Sequence, residues 1–541
     1  MYKNLLLLIF ILVLGCESNE QVTPVETQYP EYLRLPLSDN VTNLDPGIIY
    51  KNVQIEVVEQ LFMGLTEFDP KTNEVIPSLS TGWQTRENGQ IYTYKLRRDV
   101  KWTDGTPVIS HDVVWSIKRN LSVQTDSFYV FLLYSIKNAK AIHQGKKPIS
   151  SLGVRAIDDY TVEFSLEQPI NYFPALTSFW IYYPLPRQVI EQYGENWTKP
   201  DNIQTNGPYK LTKWQLKEEL ILAANPNYYA ADKVKIPKIH YFIINDSSLG
   251  LAMYKKNELD IIGGQIYLPI PPEAKVESNP VLRKEKQTVP QSCTEWYGFT
   301  VQQPPLDNPL VRKAIAAAID KKILLNIMLK SNHLPALSFI RPPIATDTNL
   351  YSAKETKLVF DPIYAKEWLA QAGYPDGKGF PKLFLVHNSS DLHHKTAITV
   401  KKMLKHYLNI EVEIREFEFE RYLNILKNPN EPLIFRNIWC SNYPGALKGL
   451  REAFHLQQGI NWIGWNNKNF AKLVDKAQQT QDQTKRQQLY QQAEKILVET
   501  EAAIVPLYFY NSSFLVKPWV KNWYYKEFGG QDIHNWSLEQ E

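Results

Sequence analysis

The residues best equipped for chemistry lie in one stretch, Arg436-Asn437-Ile438-Trp439-Cys440-Ser441-Asn442-Tyr443-Pro444. It sets a guanidinium, an indole, a thiol and carboxamides within nine residues. Ile438-Trp439 reads as the end of a buried strand, and Asn442-Tyr443-Pro444-Gly445 as the turn after it. Polar side chains just past a strand end are suited to binding, because a rigid scaffold holds the turn that carries them. The same letters fit a core strand with an arginine at its mouth, and the stretch alone leaves both readings open.

Other reactive groupings are sparse. His387, His393 and His394 have ligand chemistry for a metal. Adjacent histidines on a helix point different ways, however, so surface positions are expected and no metal site. The chain has no Gly-x-Ser-x-Gly, His-Glu-x-x-His, Cys-x-x-Cys, P-loop or Gly-x-Gly-x-x-Gly. A glycosidase-type carboxylate pair could be drawn from any of 57 acids, which singles out none. The expectation is a binding protein with no cofactor and no catalysis of its own.

The elements around these residues belong to an ordinary folded chain. Its 541 residues are 44% hydrophobic and 22% charged, enough for about three or four domains. The net charge of +3 and the lack of a Lys/Arg stripe argue against nucleic acid. Fourteen Trp and 31 Tyr suit either core packing or a cleft with flat, semi-polar walls. At the N-terminus, Lys3 precedes an apolar run from Leu5 to Leu14 that is too short to span a bilayer and right for a signal-peptide core. Val13-Leu14-Gly15-Cys16 resembles a bacterial lipobox, making Cys16 the expected lipidation site, residues 1–16 the signal and 17–30 a polar tether. The alternative is an ordinary secretory signal that happens to contain a cysteine. With Cys16 taken by lipid in an oxidising compartment, Cys293 and Cys440 are expected to pair. A bridge closing so long a loop contributes about 5 kcal/mol at most. Two buried thiols remain the alternative.

Along the chain, Tyr32–Leu37 opens the folded part as a strand. Ile55, Val58, Leu61, Phe62 and Leu65 form one helical face. Ile91 to Leu96 alternates as a half-buried strand, and Ser110 is expected to cap the helix carrying Val113, Val114 and Ile117. Val154–Ile157 and Thr161–Leu166 read as a hairpin. Near residue 305 the character changes. Asn308-Pro309 and Asp361-Pro362 each set an N-cap before proline at the first helical position. A helix from about Thr396 to Leu408 then feeds a strand at Ile410, Val412 and Ile414. That order suggests an α/β lobe with parallel strands.

Several blocks in one order resemble the bacterial oligopeptide-binding proteins, the extracytoplasmic family 5 receptors of peptide ABC importers. They are Tyr92–Pro107 (YTYKLRRDVKWTDGTP) with Asp112 behind it, Asn206–Lys210, Asn225–Tyr228, Pro309–Ala314, Ala365–Tyr374, Asn388–His393 and Leu515–Trp519. The resemblance implies a two-lobed α/β fold, the class II periplasmic binding protein arrangement, with an inserted β-rich domain and a hinge that closes on the ligand. Lobe I is expected at 31–55, 181–291 and 505–541, the insert at 56–180 and lobe II at 292–504. Implied partners are an oligopeptide, the ABC permease and, through the lipid, a membrane, with the protein itself a monomer. Its place would be the periplasmic face of the inner membrane, or the cell surface of a Gram-positive source. A murein-derived or non-peptide ligand, or a chaperone or adhesin role, is the alternative on the same fold.

The resemblance also assigns the site. The backbone of Asn437, Ile438, Trp439 and Cys440 would be the strand edge that pairs with an extended ligand. Trp439 and Trp296 would wall the pockets, and Tyr129 and Tyr508 would touch the ligand. Arg436 and His393 would read its C-terminal carboxylate, and Asp39 would lie near a ligand-contacting acid. Two positions depart from the family. Asn442 stands where an Asp pairs with the peptide's α-ammonium, and Gly298 stands where close relatives carry a Glu. Losing two carboxylates makes a cleft less hospitable to a free amino terminus.

Overall fold

A computed structural model of the chain describes residues 30–70, 72, 74–325, 333–341, 358–440, 448–455, 461–480, 482–526 and 529–539. Cys16 and Asn442 lie outside them. Among the described residues no helix is long and apolar enough to cross a membrane.

The N-terminal half is built on strands. Leu33–Leu37 runs parallel to Lys238–Ile243, which continues antiparallel through Glu219–Ala224 to Tyr209–Gln215. A second four-stranded antiparallel sheet takes the order Ser80–Arg86, Ile91–Leu96, Thr161–Ser165, Val154–Asp158. The expected hairpin is thus present. Both sheets share one contiguous core, in which Leu33 and Tyr241 from the first join Tyr94 and Phe164 from the second. Helices on this core include Asn52–Leu61 and Ser110–Asn120.

Local chemistry explains several helix starts. Asn308 and Asp361 accept hydrogen bonds from backbone N–H groups of the first turns of Pro309–Ala317 and Pro362–Gln371. Both turns begin on proline, whose missing N–H costs nothing there. Ser110 is not a cap. It is the first helical residue of Ser110–Asn120, and its hydroxyl donates to the carbonyl of Asp158, while the Asp112 carboxylate accepts from Ile109 N–H. Within the 92–107 block, Asp104 Oδ1 accepts from the N–H and hydroxyl of Thr106 at 2.8 and 2.6 Å. Those letters make a turn and a helix start.

The C-terminal half is an α/β lobe on a larger sheet with the order Ile261–Gly263, Ile504–Val516, Lys286–Phe299, Leu433–Cys440, Leu383–Asn388, Val412–Phe417. Leu383–Asn388 is parallel to both of its neighbours, as the helix-then-strand order predicts. Asp391–Leu408 supplies the crossover helix. Apolar cores cover both faces, one holding Tyr297, Ile315 and Leu385, the other Trp296, Phe435 and Leu497.

Two strands of this sheet, Lys286–Phe299 and Ile504–Val516, are long enough to serve both lobes. Phe514 and Val516 pack in the N-terminal core, whereas Ile504, Val505 and Leu507 pack in the C-terminal ones. Their pairing breaks between Pro290 and Thr294, in the middle of the crossing. Proline cannot donate to a ladder, so a bulge here is natural. Arg341 spans the gap, donating to the carbonyls of Gln291 (3.1 Å) and Tyr510 (2.5 Å) and to Asn511 Oδ1 (2.9 Å).

Candidate ligand-binding cleft

The cleft opens where these crossing strands leave the lobe interface, with a cavity of about 310 Å³. One wall comes from the N-terminal half: Asn52 and Ile55, the aromatic segment Tyr129–Leu132, and Phe179-Trp180. The Tyr129 ring meets Trp180 edge-on at 5.2 Å and Phe128 at 5.1 Å. The other wall comes from the large sheet, through Gln291, Cys293, Ile438, Cys440, Tyr510 and Ser512. Period-two alternation decides which side chains reach it. Ile438 and Cys440 point into the cleft, and Asn437 and Trp439 therefore point to the opposite face.

The Leu433–Cys440 strand is paired unequally on its two sides. On one side it pairs with Lys286–Phe299 along its whole length, from Ile434↔Phe299 to Cys440↔Cys293. On the other side, pairing with Leu383–Asn388 stops at Phe435↔Val386. Among the described residues, Arg436–Cys440 is thus bonded into the sheet along one edge. On the open edge, Ile438 N–H donates to the Asn437 side-chain oxygen at 2.8 Å, and the Tyr422 hydroxyl donates to the Arg436 carbonyl. Cys293 and Cys440 stand opposite each other and are joined by a disulfide that pins the end of this segment, so the expected pairing is present.

Beneath the edge lies a compact ion pair. Arg436 Nε and Nη2 meet Glu295 Oε1 and Oε2 at 2.5 and 2.6 Å, with the two side chains 11% and 1% exposed. The Tyr510 hydroxyl donates to Glu295 Oε2 at 2.9 Å. Burial pulls the Arg436 pKa down, but the Glu295 carboxylate outweighs it and holds the guanidinium above its ordinary value. Arg436 Nη1 also reaches Asn388 Oδ1 at 3.5 Å. Sequence reasoning missed Glu295, which lies 141 positions from its partner.

Residues 74–461 match the model of bacterial extracellular solute-binding proteins, family 5. The chain belongs to this family. It is 32% identical over 489 residues to the periplasmic oligopeptide-binding protein OppA of Salmonella typhimurium, covering 89% of this chain and 87% of that one. Among solved structures, this family 5 protein aligns with the unliganded open form of the murein tripeptide-binding protein MppA at a TM-score of 0.82 and 29% identity, covering 95% of this chain and 99% of that one. It aligns with the OppA of Haemophilus influenzae in complex with the peptide RPPGFSPFR at 0.67 and 26% identity, covering 94% of this chain and all of that one.

The remaining site residues of this family 5 protein fall as follows. His393 lies beside the ion pair, its Nδ1 3.2 Å from the Asn388 carbonyl, and burial followed by the nearby Arg436 charge lowers its pKa. Tyr508 is fully buried and stacks on His333, with centroids 5.1 Å apart and planes 4° from parallel. Trp296 is 2% exposed and packs edge-on against Phe339, Phe435 and Phe454, in the core behind the strand. Trp439 lies on that same face near Phe339. Gly298 also faces this core. A Cβ there would collide with the Phe435 ring and lie 2.8 Å from Trp296 Cζ3, so the space a Glu needs is already filled. Asp39 is held by Lys51 at 2.6 Å, just before the helix whose Asn52 and Ile55 line the cleft, and that contact lowers its pKa.

Proposed function

We propose that the protein is an extracytoplasmic receptor that binds oligopeptides between its lobes and delivers them to an ABC permease for import, without catalysis. The observation that carries this reading is the edge at Arg436–Cys440, bonded on one side among the described residues and facing an aromatic wall. A receptor for many peptide sequences must hold what all peptides share. An extended ligand pairing its N–H and C=O groups with such an edge does that, while its side chains enter the cleft. Ile438 N–H would exchange the Asn437 carboxamide for a ligand carbonyl. Tyr129 would contact ligand side chains. Arg436 and His393 would stand at the carboxylate end, Arg436 through N–H groups not used by Glu295, since a guanidinium has five. Tyr508, Trp296 and Trp439 would support the edge from below and behind.

The reading extends to the whole protein. Residues 31–55, 181–291 and 505–541 with the insert 56–180 would move against 292–504. Cys16 would carry the lipid, tying a monomer to the outer side of the cytoplasmic membrane; Cys16→Ser would then release the protein from the membrane fraction. Asn442 would weaken the attraction for a free α-ammonium.

Calorimetry with a free tripeptide, its N-acetylated form and a murein tripeptide tests the assignment. Binding of the ordinary peptide, with little loss on acetylation, supports both the receptor and the Asn442 reading. Tight binding of the murein tripeptide alone favours a wall-peptide receptor, the reading to which the resemblance to MppA gives weight. Binding of none of them overturns the peptide assignment.

A further inference from the structure

A second cluster of side chains with ligand chemistry lies in the C-terminal lobe, next to His393, whose ring centroid is 6.5 Å from that of His387. His387 is the penultimate residue of the Leu383–Asn388 strand, Glu416 is its register partner on Val412–Phe417, and His394 sits in the first turn of Asp391–Leu408. One ligand atom from each lies within 4.8 Å of the others. His394 Nδ1 and Glu416 Oε2 are 3.4 Å apart, about the separation of two donors each ~2.0–2.1 Å from a tetrahedral ion. His387 is wholly buried. Its Nδ1 lies 3.0 Å from the Asn388 carbonyl, which fixes the tautomer by taking the Nδ1 proton. That leaves the Nε2 lone pair, a buried acceptor with no hydrogen-bond partner among the described residues. Buried polar atoms are seldom left so, and each one calls for an occupant. Two imidazoles and a carboxylate form a donor set of the kind zinc takes with an open fourth position.

We propose that His387 Nε2, His394 and Glu416 hold a divalent transition-metal ion of the zinc class. The side chains of His394 and Glu416 are 47% and 41% exposed, so an ion can enter from solvent and both can adjust to it. The bland account of the same atoms is a surface contact between His394 and Glu416, with His387 merely buried below.

Zinc titration of the chelator-stripped full chain separates the two. Calorimetry should show one equivalent bound, and melting should shift upward with zinc. The variant His394→Ala/Glu416→Gln changes only exposed side chains, so its zinc-free melting should match the parent. Its zinc affinity should fall by at least about tenfold and its zinc-dependent shift should disappear. Absence of binding to the parent chain, or binding that the double variant retains in full, would overturn the proposal.

Discussion

Arg436 carries its charge into the protein because Glu295 meets it with both oxygens and Tyr510 adds a third contact. Removing one partner strands the other. Arg436→Ala should cost about 3–5 kcal/mol by chemical denaturation, whereas Arg436→Met with Glu295→Met should recover most of that. A binding defect in the single variant alone would therefore say little about carboxylate recognition. His333 supplies a pH signature. Its Nδ1 accepts the Asn511 N–H at 3.1 Å, which requires a neutral ring, and burial followed by the Arg341 charge lowers its pKa to about 4. The unfolded chain, with an imidazole near 6.5, takes up this proton first as pH falls. The contribution is complete above about pH 6.5 and is lost progressively toward pH 4. His333→Asn, which keeps an acceptor but does not titrate, should flatten the melting-temperature profile in that window. A profile as steep as the parent's would contradict the assignment.

At the scale of elements, the disulfide does more than close a long loop. It clamps the last residue of a segment bonded along one edge. Cys293→Ser/Cys440→Ser should lower stability by about 2–5 kcal/mol and also weaken peptide binding, since the fraying end would be the proposed binding edge. Unchanged affinity would separate the clamp from the site. Much at this scale was readable in the letters. Asn308-Pro309 and Asp361-Pro362 announce their helices because a cap and a proline act locally. The crossover helix starts at Asp391 rather than near Thr396, and its first turn, Asp391-Leu392-His393-His394-Lys395, has no apolar stripe to announce it. Ser110 misled because its hydroxyl bonds to Asp158, a partner set by the tertiary fold. Glu295 was invisible for the same reason. The pocket role expected for Trp296 rested on resemblance, and the face on which a strand residue lies is fixed by a register that one sequence does not print.

At the scale of the whole molecule, two strands interrupted at Pro290–Thr294 connect halves with separate cores. Closure about that interruption would bring the Tyr129–Trp180 wall onto a peptide laid along the open edge. In the proposed complex the peptide backbone pairs with Arg436–Cys440. Hydrogen-exchange mass spectrometry with and without saturating peptide addresses it directly. Slowed exchange in the peptic fragments spanning Arg436–Cys440, larger than in the outer strand Val412–Phe417, is the predicted result. Saturation confirmed by calorimetry with no slowing at Arg436–Cys440 would contradict the account.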